Sequence, residues 1–203
     1  MSAGRPASTS RAKILKAAHR LLRKEGIAGL SVRNVAAAVD TAPSTIYNYF
    51  GSKQGFMAAL ANELLLAARP DIDAAHNPLE AVREWMRQHR KLLLKTPELI
   101  VLAHASGVVA GVYEISHDLF QLLQRAGLSE KDAILHGRSL HYITNGFALQ
   151  EITQKSHGVD FVADAPAEYR RQVKIGSSFS YDQLFESTIE RNIEGLKAYI
   201  AKA

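Results

Sequence analysis

The chain has 203 residues, 47% of them hydrophobic, no cysteine and a formal net charge of +5. That length and apolar content suffice for one or two folded domains with a sizeable core, and the missing cysteines exclude disulfides and thiolate chemistry. The longest apolar stretch, Leu99 to Val112, has 14 residues and includes His104, whereas a membrane-spanning helix needs about 20; no signal peptide is read at the start, and a cytoplasmic protein without a membrane partner is expected. The charge is unevenly placed. Residues 1–60 carry nine Lys/Arg against Glu25 and Asp40, a net +7, which leaves −2 for the remainder. A basic head on a slightly acidic body suits a protein whose head meets a polyanion; taken alone, the same charges could merely solvate a helix face.

Residues 1–8 are small and polar, as in an unstructured arm, from which Arg5 can reach a groove. A first helix is predicted from about Thr9 to Glu25, with Ile14, Leu15, Ala18, Leu21 and Leu22 as its apolar stripe and Gly26 as its stop. Ser31 then reads as an N-cap, followed by Val32, Val35, Ala36 and Val39 at helical spacing. Asp40 and Thr41 break this second helix. Pro43, suited to the first position of a helix, opens a third, in which Ile46 and Phe50 face inward and Ser44, Thr45, Tyr47, Asn48 and Tyr49 face outward. Two short helices about a tight turn, the second offering hydroxyls, an amide and two phenols, form a helix-turn-helix. A fourth helix follows Gly51, capped by Ser52, and runs to about Ala68 before Pro70.

From about Ala12 to Leu60 the chain resembles the DNA-binding domain of the TetR family of bacterial repressors. The resemblance rests on Ser31-Val32-Arg33, Thr45-Ile46-Tyr47, Tyr49-Phe50 and Ser52-Lys53. Three positions depart from the family's usual pattern: Asp40 stands where Gly is common in the turn, Ala42 where Ser caps the third helix, leaving Thr41 as the cap, and Tyr49 where His is common. Asp tolerates a left-handed backbone better than most residues, so the turn survives. The resemblance implies Ser31, Arg33, Ser44, Thr45, Tyr47, Asn48, Tyr49 and Lys53 as DNA-binding residues, with Arg11, Lys13 and Lys16 near the phosphate backbone. Arg33, Thr45 and Asn48 suit base edges, because Arg pairs with guanine and Asn with adenine; Tyr47, Tyr49 and Lys53 suit phosphates.

Beyond Asp71 the pattern is helical throughout, which makes the fold all-α: a helix-turn-helix domain over 1–58 and a helical effector-binding and dimerisation domain over 59–203. Helices are predicted from Pro78 to about Lys95, from Pro97 through His104, from Ile115 to Ala126, from Ser129 to about Gln154, where Ser129-x-x-Asp132 resembles a capping box, and from Tyr181 to about Ala201. Ser106-Gly107 and Gly111 are read as interruptions, and His157 to Ser178 as a polar loop with one helical turn from Ala167 to Val173. The long helix carries two stripes, Leu140, Ile143 and Phe147, and Gly137, His141, Thr144 and Ala148; the last carries Phe185, Ile189, Ile193, Leu196 and Ile200. This is either a fully buried pair of helices or, as the resemblance implies, a four-helix homodimer interface. Two recognition helices about 34 Å apart read successive major grooves of a palindromic operator.

No catalytic residues are nominated. The chain has no Gly-x-Ser-x-Gly elbow, His-Glu-x-x-His pair or dinucleotide fingerprint, and Glu114-x-x-His117 is only half of a di-iron motif. The body does hold polar groups in apolar surroundings. Trp85, His89, His104, Tyr113, His141 and Asn145 are candidate ligand-binding residues, since a few convergent polar groups in an apolar cavity make a small-molecule site; singly, each is equally a satisfied core or surface side chain. Against the tetracycline-repressor branch, Gly111 and Gln150 stand where groups that help hold a drug-bound magnesium are found, and neither can ligate, so no metal and no cofactor is expected. The sequence is read as a ligand-responsive repressor that binds operator DNA as a homodimer and is released by a small-molecule effector. The alternatives are a DNA-binding regulator without an effector and a helical enzyme.

Overall fold

The structure, a computed structural model, describes residues 9–67, 69, 77–105, 110–157 and 165–202. The described residues fold into helices: α1 (Arg11–Gly29), α2 (Val32–Ala38), α3 (Pro43–Phe50), α4 (Lys53–Ala67), α5 (Pro78–Lys95), α6 (Glu98–Ala105), α7 (Ala110–Arg125), α8 (Glu130–His157), α9 (Ala167–Gly176) and α10 (Tyr181–Ile200). The all-α class expected from the sequence is what forms. Residues 1–8 with Arg5, and Ser106-Gly107, lie outside the described residues.

Most boundaries follow from identifiable caps. Ser10 accepts from the Lys13 N–H at 3.2 Å and Ser31 from the Asn34 N–H at 3.1 Å. Ser52 accepts from the Gly55 N–H at 2.9 Å. Before α5, Asn77 Oδ1 accepts from the Leu79 N–H at 2.9 Å. Ser180 and Gln183 close a reciprocal capping box on α10. At the start of α8 the Asp132 N–H donates to Ser129 Oγ at 3.2 Å, while the Asp132 carboxylate accepts from that same hydroxyl at 2.6 Å. Each such cap is worth about 1 kcal/mol. Gly26 leaves the helical region (φ 64, ψ −166), so α1 breaks where a stop was predicted, and one further turn carries the chain to Gly29.

Among the described residues two compact units form. The first holds α1–α4, α6 and the start of α7 to Ile115. Its core is Ile14, Leu15, Ala17, Ala18 and Leu22 of α1, Val32, Val35 and Ala36 of α2, Ile46 of α3, and Phe56, Leu60 and Ala61 of α4. Helix α4 packs on α1, α3 and α6, and burying each large apolar side chain in such a core contributes roughly 1.5–3 kcal/mol. Gly55 permits the close start of α4: a Cβ there would lie 2.2 Å from the Phe50 carbonyl oxygen. Gly111, read from sequence as an interruption, sits inside the first turn of α7, buried against Asn62 and Leu65 of α4, where a Cβ would come within 3.0 Å of Leu65 Cβ. Its role is close packing, which is why the helix begins at Ala110 and not at Ile115.

The second unit holds α5, α7 from Ser116, α8, α9 and α10. Helices α5, α8 and α10 pack on one another around Val82, Trp85, Met86, Leu140, Ala148, Phe185, Ile189 and Ile193. Three arginines on α5 meet three carboxylates on α10 in antiparallel register. Arg83 bonds Glu190, Arg87 grips Glu186 through two bonds of 2.9 and 2.7 Å, and Arg90 reaches Asp182 at 2.8 Å. Arg90 also bonds the buried Glu151 of α8 at 2.6 Å and covers the Phe185 ring. The stretch read as an irregular loop with one helical turn contains instead the ten-residue α9, in which no side chain is buried; its helix-forming residues outweigh the polarity that suggested a loop.

The small-residue stripe of α8 is packed within this chain. Gly137, Leu140, Thr144 and Ala148 all face the interior of this chain, with Gly137 against the Phe120 ring. The surplus apolar surface runs along Leu135, Tyr142 and Leu149, spaced by seven and 50–60% exposed, with Leu184 and Tyr199 on α10 exposed to about 40%.

Candidate nucleic-acid interface and a buried polar cluster

The head presents its polar residues as a consequence of what α2 and α3 bury. Val32, Val35 and Ala36 turn one face of α2 inward, which leaves Arg33 in solvent. The Ser31 hydroxyl is half-buried because it caps the helix. Asp40 adopts φ 51, the left-handed turn conformation that Asn and Asp tolerate, and Pro43 occupies the start of α3. Ile46 is fully buried and anchors α3, so Ser44, Tyr47, Asn48 and Tyr49 project outward. Lys53 is exposed as the first residue of α4. The geometry of a recognition helix with a rigid inner face and an open polar face is therefore present.

Two of these side chains have local duties that sequence reasoning missed. Tyr49 Oη donates to the Thr9 carbonyl at 2.8 Å, tying the end of α3 to the entry of α1. Beside it the Arg11 guanidinium covers the Phe50 ring at 5.3 Å. Thr41, expected to cap α3, instead shares a 3.0 Å hydrogen bond with the half-buried Thr45 hydroxyl; the capping position falls on Ala42, which has no side-chain acceptor. The 40-residue separation of Tyr49 from Thr9 hides that bond from any local pattern.

In the second unit the structure brings four of the six candidate ligand residues together. Trp85 and His89 stack one turn apart on α5, ring centroids 4.8 Å apart. His141 of α8 lies 5.0 Å from His89 and 6.0 Å from Trp85. Asn145 Oδ1 bonds His89 Nε2 at 3.0 Å, which assigns the proton to Nε2 in the neutral ring. Burial, and then the neighbouring His141, pull His89 down to about 3, against a smaller opposing effect of Asn145. Trp85 is 0% and His89 4% exposed. Tyr113 belongs to the other unit and is 61% exposed. His104 lies on α6 in that unit too, and its side chain lies outside the described residues.

Residues 14–60, from the first buried residue of α1 to a buried residue of α4, match the family model for "Bacterial regulatory proteins, tetR family". Its head, over these residues, is therefore of the TetR type. The TetR likeness extends past the matched head. The class E tetracycline repressor protein of Escherichia coli is 24% identical over 192 residues, covering 92% of this chain and 90% of its own. The crystal structure of BioQ from Mycobacterium smegmatis is 25% identical, covers 94% of this chain and 99% of its own, and superposes with a TM-score of 0.73; BioQ with its double-stranded DNA operator gives 0.70 over 93% and 98%. The Streptomyces coelicolor protein ActR in complex with actinorhodin shares the fold at a TM-score of 0.78, with 22% identity over 96% of this chain and 99% of its own. A chain with this head is a DNA-binding regulator of transcription. None of its described helices is long and apolar enough to cross a membrane.

Proposed function

We propose that the protein is a ligand-responsive repressor that binds a palindromic operator as a homodimer and is released by a small-molecule effector. The observation that carries this reading is the outward polar face of α3, set on a buried Ile46 anchor in a head of net charge +7. A protein 25% identical is crystallised with its operator, which supports DNA as the partner, and ActR is crystallised with actinorhodin, which supports a small molecule in the body. The working division is a DNA-binding part over 1–58 and an effector-binding and dimerisation part over 59–203. Ser31, Arg33, Ser44, Thr45, Tyr47, Asn48, Tyr49 and Lys53 face the duplex. The effector enters near Trp85, His89, His141 and Asn145, and the dimer closes through the exposed stripes of α8 and α10. Helix α4 transmits the signal. No step of this function needs catalysis or a metal, and a repressor of this kind acts in the cytoplasm.

Selection of duplexes from a random pool by the full chain tests the first half of this reading: an enriched palindrome with half-sites about one helical turn apart is expected. Compounds are then screened for release of that duplex. A second reading, a regulator without an effector, is favoured by one observation, the complete burial of Trp85 in its stack with His89. A body that shows no thermal shift and no release with any compound would establish it.

A further inference from the structure

Along α1, Lys13, Lys16 and Arg20 fall at intervals of three and four residues and are all exposed on one face. With Thr9 and the end of α2, Ala38 and Val39, they line an open groove of about 310 Å³. No carboxylate lines it. The nearest on α1 is Glu25, at the far end and paired with Lys24 at 3.6 Å. Among the described residues neither Lys16 nor Arg20 is paired with a carboxylate. From Lys13 to Arg20 the cations span about 10 Å of helix axis, enough to meet more than one phosphate of a strand that presents one per about 3.4 Å of duplex axis. An open trough with cations in a row suits a polymer of phosphates better than a single anion, which calls for converging donors.

The groove lies beside the reading helices and not within them. One end is Thr9, whose carbonyl holds Tyr49 at the end of α3, and its floor is the end of α2. It is rigidly coupled to α3 through that bond and the Arg11–Phe50 contact. We propose that Lys16 and Arg20 form a second phosphate track that holds the sugar–phosphate backbone flanking the base pairs read by α2 and α3. The track rests on the DNA-binding reading above and extends it: the footprint is longer than the recognised sequence.

The test compares two duplexes. One is the core selected by the wild-type chain, of about 18 base pairs, which just holds two half-sites one turn apart. The other is the same core with about 10 base pairs of unrelated sequence added at one end. The wild-type chain should bind the extended duplex more tightly, with a log–log salt slope steeper by about 1.8 for two contacts per head on one flank. A fourfold rise in salt would then erase about twelvefold of that gain. Lys16→Gln/Arg20→Gln should bind the two duplexes alike, and either single change should remove about half of the difference. Lys53→Ala should weaken both duplexes while keeping the difference. If the wild type gains nothing from the flank, or the double variant keeps the gain, the track is a solvated face and the proposal is overturned. Failure of the wild type to enrich any duplex would overturn the DNA-binding reading itself, and the track with it.

Discussion

Asn48 is fully outward on α3 and has no structural duty in the described hydrogen bonds, so its replacement isolates recognition from folding. Asn48→Ala should cost about 1–3 kcal/mol on the selected operator and relax preference at one base pair; a selection that returned the wild-type motif undiminished would remove Asn48 from the base edges. Trp85 poses the opposite case. As plain core, Trp85→Ala costs about 3–5 kcal/mol, melting early and losing DNA binding. As a pocket wall it leaves operator affinity nearly intact and abolishes release by effector, so melting temperature, operator affinity and effector response are measured together. His89, stacked on Trp85 and facing His141, makes stability depend on pH. Its folded value of about 3 lies below the ordinary 6.5, so below 6.5 the unfolded chain takes a proton that the folded chain refuses. Stability present above pH 6.5 is lost as pH falls toward 3, with a slope of up to about 1.4 kcal/mol per unit. Denaturant titrations between pH 6.5 and 5 should show this slope, and His89→Gln should flatten it.

At the scale of elements, what was legible in the sequence is what local chemistry dictates. Ser31, Ser52, Pro43 and Pro78 each mark a helix start through their own backbone or hydroxyl, and Ile46 or Phe185 declare a buried face by spacing alone. The four helices of the head were readable for that reason, and so was the grouping of Trp85 with His89 on one face. What escaped depends on partners far along the chain. Gly111 looked like a break because Asn62 and Leu65, which require its missing side chain, lie almost fifty residues earlier. The small-residue stripe of α8 fits a buried face and a dimer interface equally in sequence, because nothing local shows Phe120 pressing on Gly137. A Cβ at Gly137 would lie 2.5 Å from the Phe120 ring. Gly137→Ala should therefore destabilise the protein by about 1–3 kcal/mol despite the better helix propensity of Ala, and Phe120→Leu in the same chain should recover part of the loss. A Gly137→Ala variant that melts at or above the wild type would disprove this packing.

For the molecule as a whole, the proposed dimer rests on the exposed Leu135, Tyr142 and Leu149. Leu135→Glu/Tyr142→Glu should give a monomer by light scattering with its melting temperature little changed, because these side chains are outside the core of the chain. Losing the second head should weaken operator binding by about 10²–10⁴-fold; a double variant that remains a dimer would place the interface elsewhere. The proposed effector enters the same balance: one that weakens DNA binding tenfold binds the DNA complex tenfold less tightly, a coupling of about 1.4 kcal/mol. The ladder between α5 and α10 bears on how the chain is made. Its bonds join residues separated by 107, 99 and 92 positions. At about 5–20 residues per second, roughly 5–20 s pass between the synthesis of Arg83, Arg87 and Arg90 and that of their acidic partners. Until Tyr181–Ile200 leaves the ribosome, Arg83, Arg87 and Arg90 lack their α10 partners, while the first unit, closed by contacts within residues 9–115, is already complete. The head thus forms first, and the second unit closes only once α10 has emerged.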